Sequence, residues 1–156
     1  MALTTAEIKN SYPLPAYNYK VVIDNTEVGF SEVSGLNISY TTTTYKESLP
    51  ERGNQPRKMI MPAQGGEVKI TLKKGVVKDV SIRHLFDWIK EIQANNVVKK
   101  DVHVYLCDDE GNAIVSWTVR NAFPIYLEAP SFNANSHDAA IETMQLTGDS
   151  VTIGNT

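Results

Sequence analysis

The sequence predicts a mainly β fold, a barrel or sandwich of about six to seven antiparallel strands, with one α-helix near residues 79–94. Three observations carry that prediction. Stretches such as "EVKITLKKG" and "DVHVYLCD" alternate apolar and polar residues with the period of two that turns one strand face inward and the other to water. Only "DVSIRHLFDWIKEIQANN" changes to the i, i+3, i+4, i+7 spacing of a helix with one buried face. Turn formers recur between these stretches, and no repeat or low-complexity tract interrupts them.

Taken in order, residues 1–16 end in "YPLPA", whose two prolines predict an extended arm leading into the first strand. "YNYKVVID" sets Tyr17, Tyr19, Val21 and Ile23 against Asn18, Lys20, Val22 and Asp24, and Asp24-Asn25 supplies a turn. Extended chain follows, with Gly29 and Gly35 expected at bulges or bends. Within it "YTTTTYKES", residues 40–48, is a strand by its Thr and Tyr content, yet neither side of it is apolar. Tyr40, Thr42, Thr44, Lys46 and Ser48 fall on one side, and Thr41, Thr43, Tyr45 and Glu47 on the other. Residues 49–66 hold three prolines and three glycines and are expected to form a long loop. Inside it Met59, Ile60 and Met61 make an apolar cluster that either folds back on its own core or fits into a neighbouring molecule.

Val68, Ile70 and Leu72 then predict the buried side of a clean strand. Asp79 is the expected N-cap of the helix, whose buried stripe is Ile82, Leu85, Phe86, Ile89 and Ile92, with Trp88 beside it and Asn95-Asn96 at its end. "DVHVYLCD" and "AIVSWTVRNAFP" form a hairpin across the "DDEGN" turn, and "DAAIETMQLTG" is the last strand.

A chain of 156 residues suits one domain, residues 1–156. The single cysteine, Cys107, cannot form an internal disulfide and fits a reducing compartment. The N-terminus lacks the apolar core of a signal peptide and no run is apolar enough for a membrane helix, so cytoplasmic synthesis without membrane insertion is expected. A net charge of -3 argues against a nucleic-acid binder. Lys and Arg gather in the middle (Arg52, Arg57, Lys58, Lys69, Lys73, Lys74, Lys78), and none follows Arg120, an asymmetry that suits contacts between copies.

No catalytic, cofactor or metal site is predicted. His84, His103 and His137 share no ligand spacing, and Cys107 has no neighbouring thiol. "CDDEGN" lacks the twelve-residue ligand pattern of a calcium loop, "RGNQPRK" does not lead into a helix as a phosphate loop does, and no serine sits in a nucleophile motif. A long strand that is polar on both sides fits a surface that meets another subunit or a wide aqueous lumen, and open strand edges invite head-to-tail association into rings or filaments. The alternative is a monomeric β-barrel module that binds a small ligand, a glycan or single-stranded nucleic acid.

The order of "YPLPAYNYKVVIDNTEVGFSEVSGL", "YKES", "RKMIMPAQGGEVKITLKKGV", "LFDWI", "GNAIVSWTVRNAFPIYLEAP" and "IETMQLTGDSV", over about residues 11–153, resembles the tail tube protein family of contractile phage tails and bacterial contractile injection systems. The resemblance implies a fold similar to the haemolysin-coregulated protein of type VI secretion and a non-enzymatic subunit. Six copies would form a ring, and rings would stack into a hollow tube inside a sheath. Further partners it implies are baseplate, spike and tube-initiator proteins, with effector proteins or DNA as cargo, in a phage tail-like particle or virion. It also places Arg52, Arg57, Lys58, Met59, Ile60 and Met61 in an inter-subunit loop, and Thr41, Thr42, Thr43, Thr44, Lys46 and Glu47 on a strand facing or adjoining the lumen. Related phage tubes carry "PG" where this chain has "MPAQGG", so the turn geometry there is not carried over.

Overall fold

The computed structural model describes residues 2–48, 53, 55–78, 85–93 and 97–155. The elements run α1 (Thr5–Ser11), β1 (Tyr19–Ile23), β2 (Thr26–Val28), β3 (Glu32–Ser34), β4 (Tyr40–Ser48), β5 (Pro56–Gly65), β6 (Val68–Gly75), α2 (Asp87–Gln93), β7 (Lys100–Cys107), β8 (Ala113–Glu128), β9 (Ile141–Gly148) and β10 (Ser150–Asn155). The mainly β, antiparallel class expected from the alternation is present. The strands are more numerous than expected because three residues suffice for β2 and β3, because the presumed loop hides β5, and because β9, expected to be the last strand, is followed by β10, which pairs with β8.

All ladders are antiparallel. One layer orders its strands β2-β1-β7-β8, with β10 also paired to β8, and the other runs β3-β6-β9-β8. The sixteen-residue β8 belongs to both: its first half pairs with β7 and β10, and Phe123 to Glu128 pair with β9. The barrel does not close, and the result is sandwich-like. Val21, Ile23, Val102, Val104, Val119 and Val151 from one layer meet Val68, Ile70, Leu72, Met144 and Leu146 from the other in a single core. Burial of this apolar surface is the main favourable term, at about 25 cal/mol per Å².

The bend in β8 has a definite chemistry. Asn121 takes a left-handed backbone (φ 52°). Its N–H donates to the Asp101 carboxylate at 3.0 Å, its side-chain amide donates to Asp149 at 2.6 Å, and Arg120 donates to Asp101 at 3.0 Å. Beside it Gly148 leaves room for the β8 backbone and for Val119, since a Cβ there would lie 3.0 Å from the Arg120 carbonyl oxygen and 2.6 Å from Val119 Cγ1. The Asn121 N–H and, to a lesser degree, Arg120 hold the Asp101 carboxyl below the usual carboxylate range, against some desolvation. A depressed folded pKa contributes stability above the ordinary carboxylate range, and that contribution is lost as pH falls through the depressed value. Asp101→Asn is therefore expected to lower stability at neutral pH by about 1 kcal/mol, discounted for the exposure of the carboxylate. The deficit should vanish in strong acid, as thermal melts across pH will show.

Two segments depart from expectation. The N-terminal sixteen residues are not wholly extended: Thr4 and Glu7 form a capping box that starts α1, with Thr4 N–H donating to Glu7 at 2.7 Å, and the prolines act only after the helix ends. In the expected helix, residues 79–84 and 94–96 lie outside the described residues, so Asp79, Ile82, Asn95 and Asn96 are among those not described. Leu85 is buried as expected, but Phe86 is 49% exposed and Trp88 is 3% exposed, its indole N–H donating to the Val98 carbonyl at 2.8 Å. Trp88 stands three residues after Leu85 and so shares its buried face, while Phe86 lies well round the helix from that pair. No helix among the described residues is long and apolar enough to cross a membrane.

Candidate assembly surface

β3 to β6 are one long hairpin in which only the near half joins the sandwich. Glu32 lies opposite Lys73 and Ser34 opposite Thr71, and beyond a short irregular joint the same ladder resumes with Tyr40 opposite Gly65. The Gly66 N–H donates to the Ser39 carbonyl at 2.6 Å across that joint. Past it, β4 and β5 pair only with each other among the described residues. Nine strand residues at about 3.4 Å each carry this arm about 30 Å. Gly35 makes the departure possible, with φ 88° and the Lys69 backbone carbonyl where a Cβ would stand. Gly35→Ala is expected to cost at least about 2 kcal/mol, from the left-handed backbone and the clash together, measured by chemical unfolding.

Cross-strand pairs give the arm two unlike faces. Lys46 stands opposite Lys58, Thr44 opposite Ile60 and Thr42 opposite Pro62 on one face. On the other, Glu47 stands opposite Arg57, Tyr45 opposite Met59 and Thr43 opposite Met61. The second face is tied internally: Arg57 approaches Glu47 at 3.8 Å, and the Tyr45 hydroxyl donates to Glu47 at 3.3 Å. Ile60 is 65% exposed, Tyr45 46% and Met61 43%, so this chain alone leaves the arm's apolar groups uncovered.

The expected loop of residues 49–66 is thus corrected over 56–65, which form β5. Proline misled the sequence argument: Pro56 opens the strand, and Pro62 lies on a strand with a free edge, where its missing N–H is tolerated. Arg57, Lys58, Met59, Ile60 and Met61 are consequently strand residues, and they divide between the two faces. Arg52 lies outside the described residues. Thr42, Thr44 and Lys46 share one face and Thr43 and Glu47 the other, while Thr41 sits at the bulge with its hydroxyl donating to the Gln64 carbonyl at 3.1 Å. The alternation of Met59 and Met61 against Lys58 and Ile60 was the signal available for β5.

Elsewhere, a cavity of about 340 Å³ opens between the layers, lined by Leu14, Tyr19, Val33, Leu36, Val104 and Trp117. Its one nearby hydroxyl, on Tyr19, already donates to the Phe30 carbonyl at 2.6 Å, and burial followed by the Glu32 charge raises its pKa. No cluster of three His, Cys, Asp or Glu side chains among the described residues is placed to hold a metal ion.

A family model described as T4-like virus tail tube protein gp19 matches residues 15–152. A search of curated protein sequences gives no match. Among solved structures, the chain is similar to one from the sheath-tube complex of the extracellular contractile injection system PVC in its extended state. The two share 37% identity over 99% of this chain and 100% of that one, with a TM-score of 0.88. A chain of the anti-feeding prophage cap, described as the AFP tube terminating cap, is 35% identical over 100% of this chain and 95% of its own, with a TM-score of 0.84. A chain from the PVC sheath/tube terminator in the extended state is 39% identical over 92% and 98%, with a TM-score of 0.83. The chain therefore belongs to the T4-like virus tail tube protein gp19 family and is a tail tube subunit of the contractile type.

Proposed function

We propose that this chain acts as one non-enzymatic domain that assembles into six-membered rings, and that the rings stack into a hollow conduit inside a contractile sheath. The observation that carries this reading is the β4–β5 arm, a two-stranded sheet with both outer edges unpaired among the described residues. A two-stranded ribbon standing off its domain is marginal alone and gains most by adding its strands to a neighbour's sheet. Repeating that contact head to tail closes a ring in which arms and sandwiches alternate around a continuous inner wall. The arm's Met59 and Met61 then find cover between subunits. Sheath, baseplate and terminator proteins are the partners expected on the outside and at the ends, and an effector protein or DNA is the cargo. Similarity to chains from PVC and AFP particles supports this placement. The apolar cavity does not favour the ligand-binding alternative, because its only neighbouring hydroxyl is already engaged.

Negative-stain electron microscopy of the purified protein, with mass determination over a range of concentrations, tests the proposal. Six-fold rings or hollow rods are expected, either spontaneously or after addition of fragments of assembled tube as seeds. A chain that stays monomeric in both settings contradicts it.

A further inference from the structure

The arm and the sandwich share one largely polar face, whose composition bears on what the conduit carries. Between Tyr40 and Thr42 the ladder shifts, and β5 gains one residue relative to β4. That extra residue inverts the alternation of β5, so the face holding Lys46, Lys58, Thr42 and Thr44 runs into the outer face of β6, whose buried side is Val68, Ile70 and Leu72. Lys69, Thr71 and Lys73 continue it, beside Thr143, Gln145 and Thr147 of β9. Apart from its charges the surface is mostly hydroxyl and amide, with Tyr40, Ile60 and Pro62 as its less polar members. Lys73 is paired with Glu32 at 3.2 Å, and Glu67 neighbours Lys69 in the same alternation. Lys46 and Lys58 instead stand directly opposite each other, with no acidic group across the ladder from either. Like charges in that register repel, so they gain by an anion arriving from outside the chain. The opposite face of the arm, with Tyr45, Met59 and Met61, gains by being covered instead.

Resting on the tube reading above, we infer that the Lys46–Lys58 face lines the channel as a belt of positive charge in a largely hydroxyl-lined wall, and that it contacts acidic polypeptide cargo. Charge complementarity argues for the acidic partner, since among the described residues no acidic group stands across the ladder from either lysine. Polypeptide is favoured over single-stranded nucleic acid because the arm presents a single ring, Tyr40, on this face and turns Tyr45 to the other, so no run of rings continues a stack of bases. Long-range attraction without a shaped pocket lets a cargo be held and still slide.

The test compares wild-type tubes with tubes of Lys46→Gln/Lys58→Gln and of the control Lys20→Gln/Lys99→Gln, which changes charge equally away from this face. Fluorescent poly-L-glutamate is added, and its co-sedimentation is read against salt. Wild type and control should retain the probe in about 50 mM salt and release it in about 500 mM, with retention by Lys46→Gln/Lys58→Gln lower by about fivefold or more. Equal retention by all three tubes, or stronger retention of a single-stranded oligonucleotide than of poly-glutamate, overturns the inference. Loss of tubes in Lys46→Gln/Lys58→Gln alone also overturns it, by placing these lysines in a subunit contact. If the wild type forms no tubes, the tube reading fails separately, and fluorescence anisotropy of the same probe with the free chain decides: the Lys46→Gln/Lys58→Gln variant must bind more weakly than the control.

Discussion

Met59→Asp combined with Met61→Asp is expected to leave a chain that melts within a few degrees of the wild type and forms no tubes. Both residues lie on the arm's Tyr45 face, outside the sandwich core, so the fold does not depend on them. At a subunit contact each methionine contributes up to about 1.5–3 kcal/mol when fully buried, and the partial cover already present reduces that. The aspartates also bring two charges beside Glu47, against Arg57, the one cation of that face among the described residues. A combined loss of about 3 kcal/mol per contact weakens each association step about a hundredfold. Repeated around a ring, that loss ends assembly. Electron microscopy beside circular dichroism checks both halves of the expectation, and normal tubes from the variant would remove the arm from the interface.

Ile70→Ala is expected to produce the opposite pattern, a loss of stability from which loss of assembly follows. Ile70 is fully buried and faces Leu146, also fully buried, across the β6–β9 ladder at the centre of the core. Removing its outer carbons leaves a cavity that the surrounding strands fill only in part, at a cost of about 2–5 kcal/mol. For a domain of this size that corresponds to a fall in Tm of roughly 5–15 °C. Leu146→Ala alone should cost a similar amount, and the double variant less than the sum, because the two side chains share one contact. A melt unchanged by either substitution would show that the two layers do not pack as described.

The sandwich was legible in the sequence wherever a single rule governed a stretch. Val68, Ile70 and Leu72 alternate without interruption and are buried as the pattern demands, and Met144 and Leu146 do the same in β9. Three features escaped for physical reasons. Proline reads as a strand breaker, yet Pro62 sits on a free edge and the buried Pro124 lies in β8 beyond the end of its ladder with β7, where no N–H is needed on that side. The bend of β8 depends on Asp101, Asn121 and Asp149, which lie far apart in sequence and meet only once the strands pair. In the helix, Leu85 and Trp88 share the buried face at i, i+3 and Phe86 lies round from it, because the apolar residues there are dense enough to fit more than one stripe. The arm was half legible: the two-sided polarity of "YTTTTYKES" showed a strand with no core of its own, but the partner strand lay behind three prolines.

A cryo-EM reconstruction of the assembled tube, at a resolution that traces side chains, tests the central claim most directly. The β4–β5 arm should be hydrogen-bonded by its outer edge to a strand of the adjacent copy, with Met59 and Met61 buried in that contact and Lys46 and Lys58 turned to the channel. An arm folded back over its own sandwich, or one reaching outward into the sheath, would contradict the account.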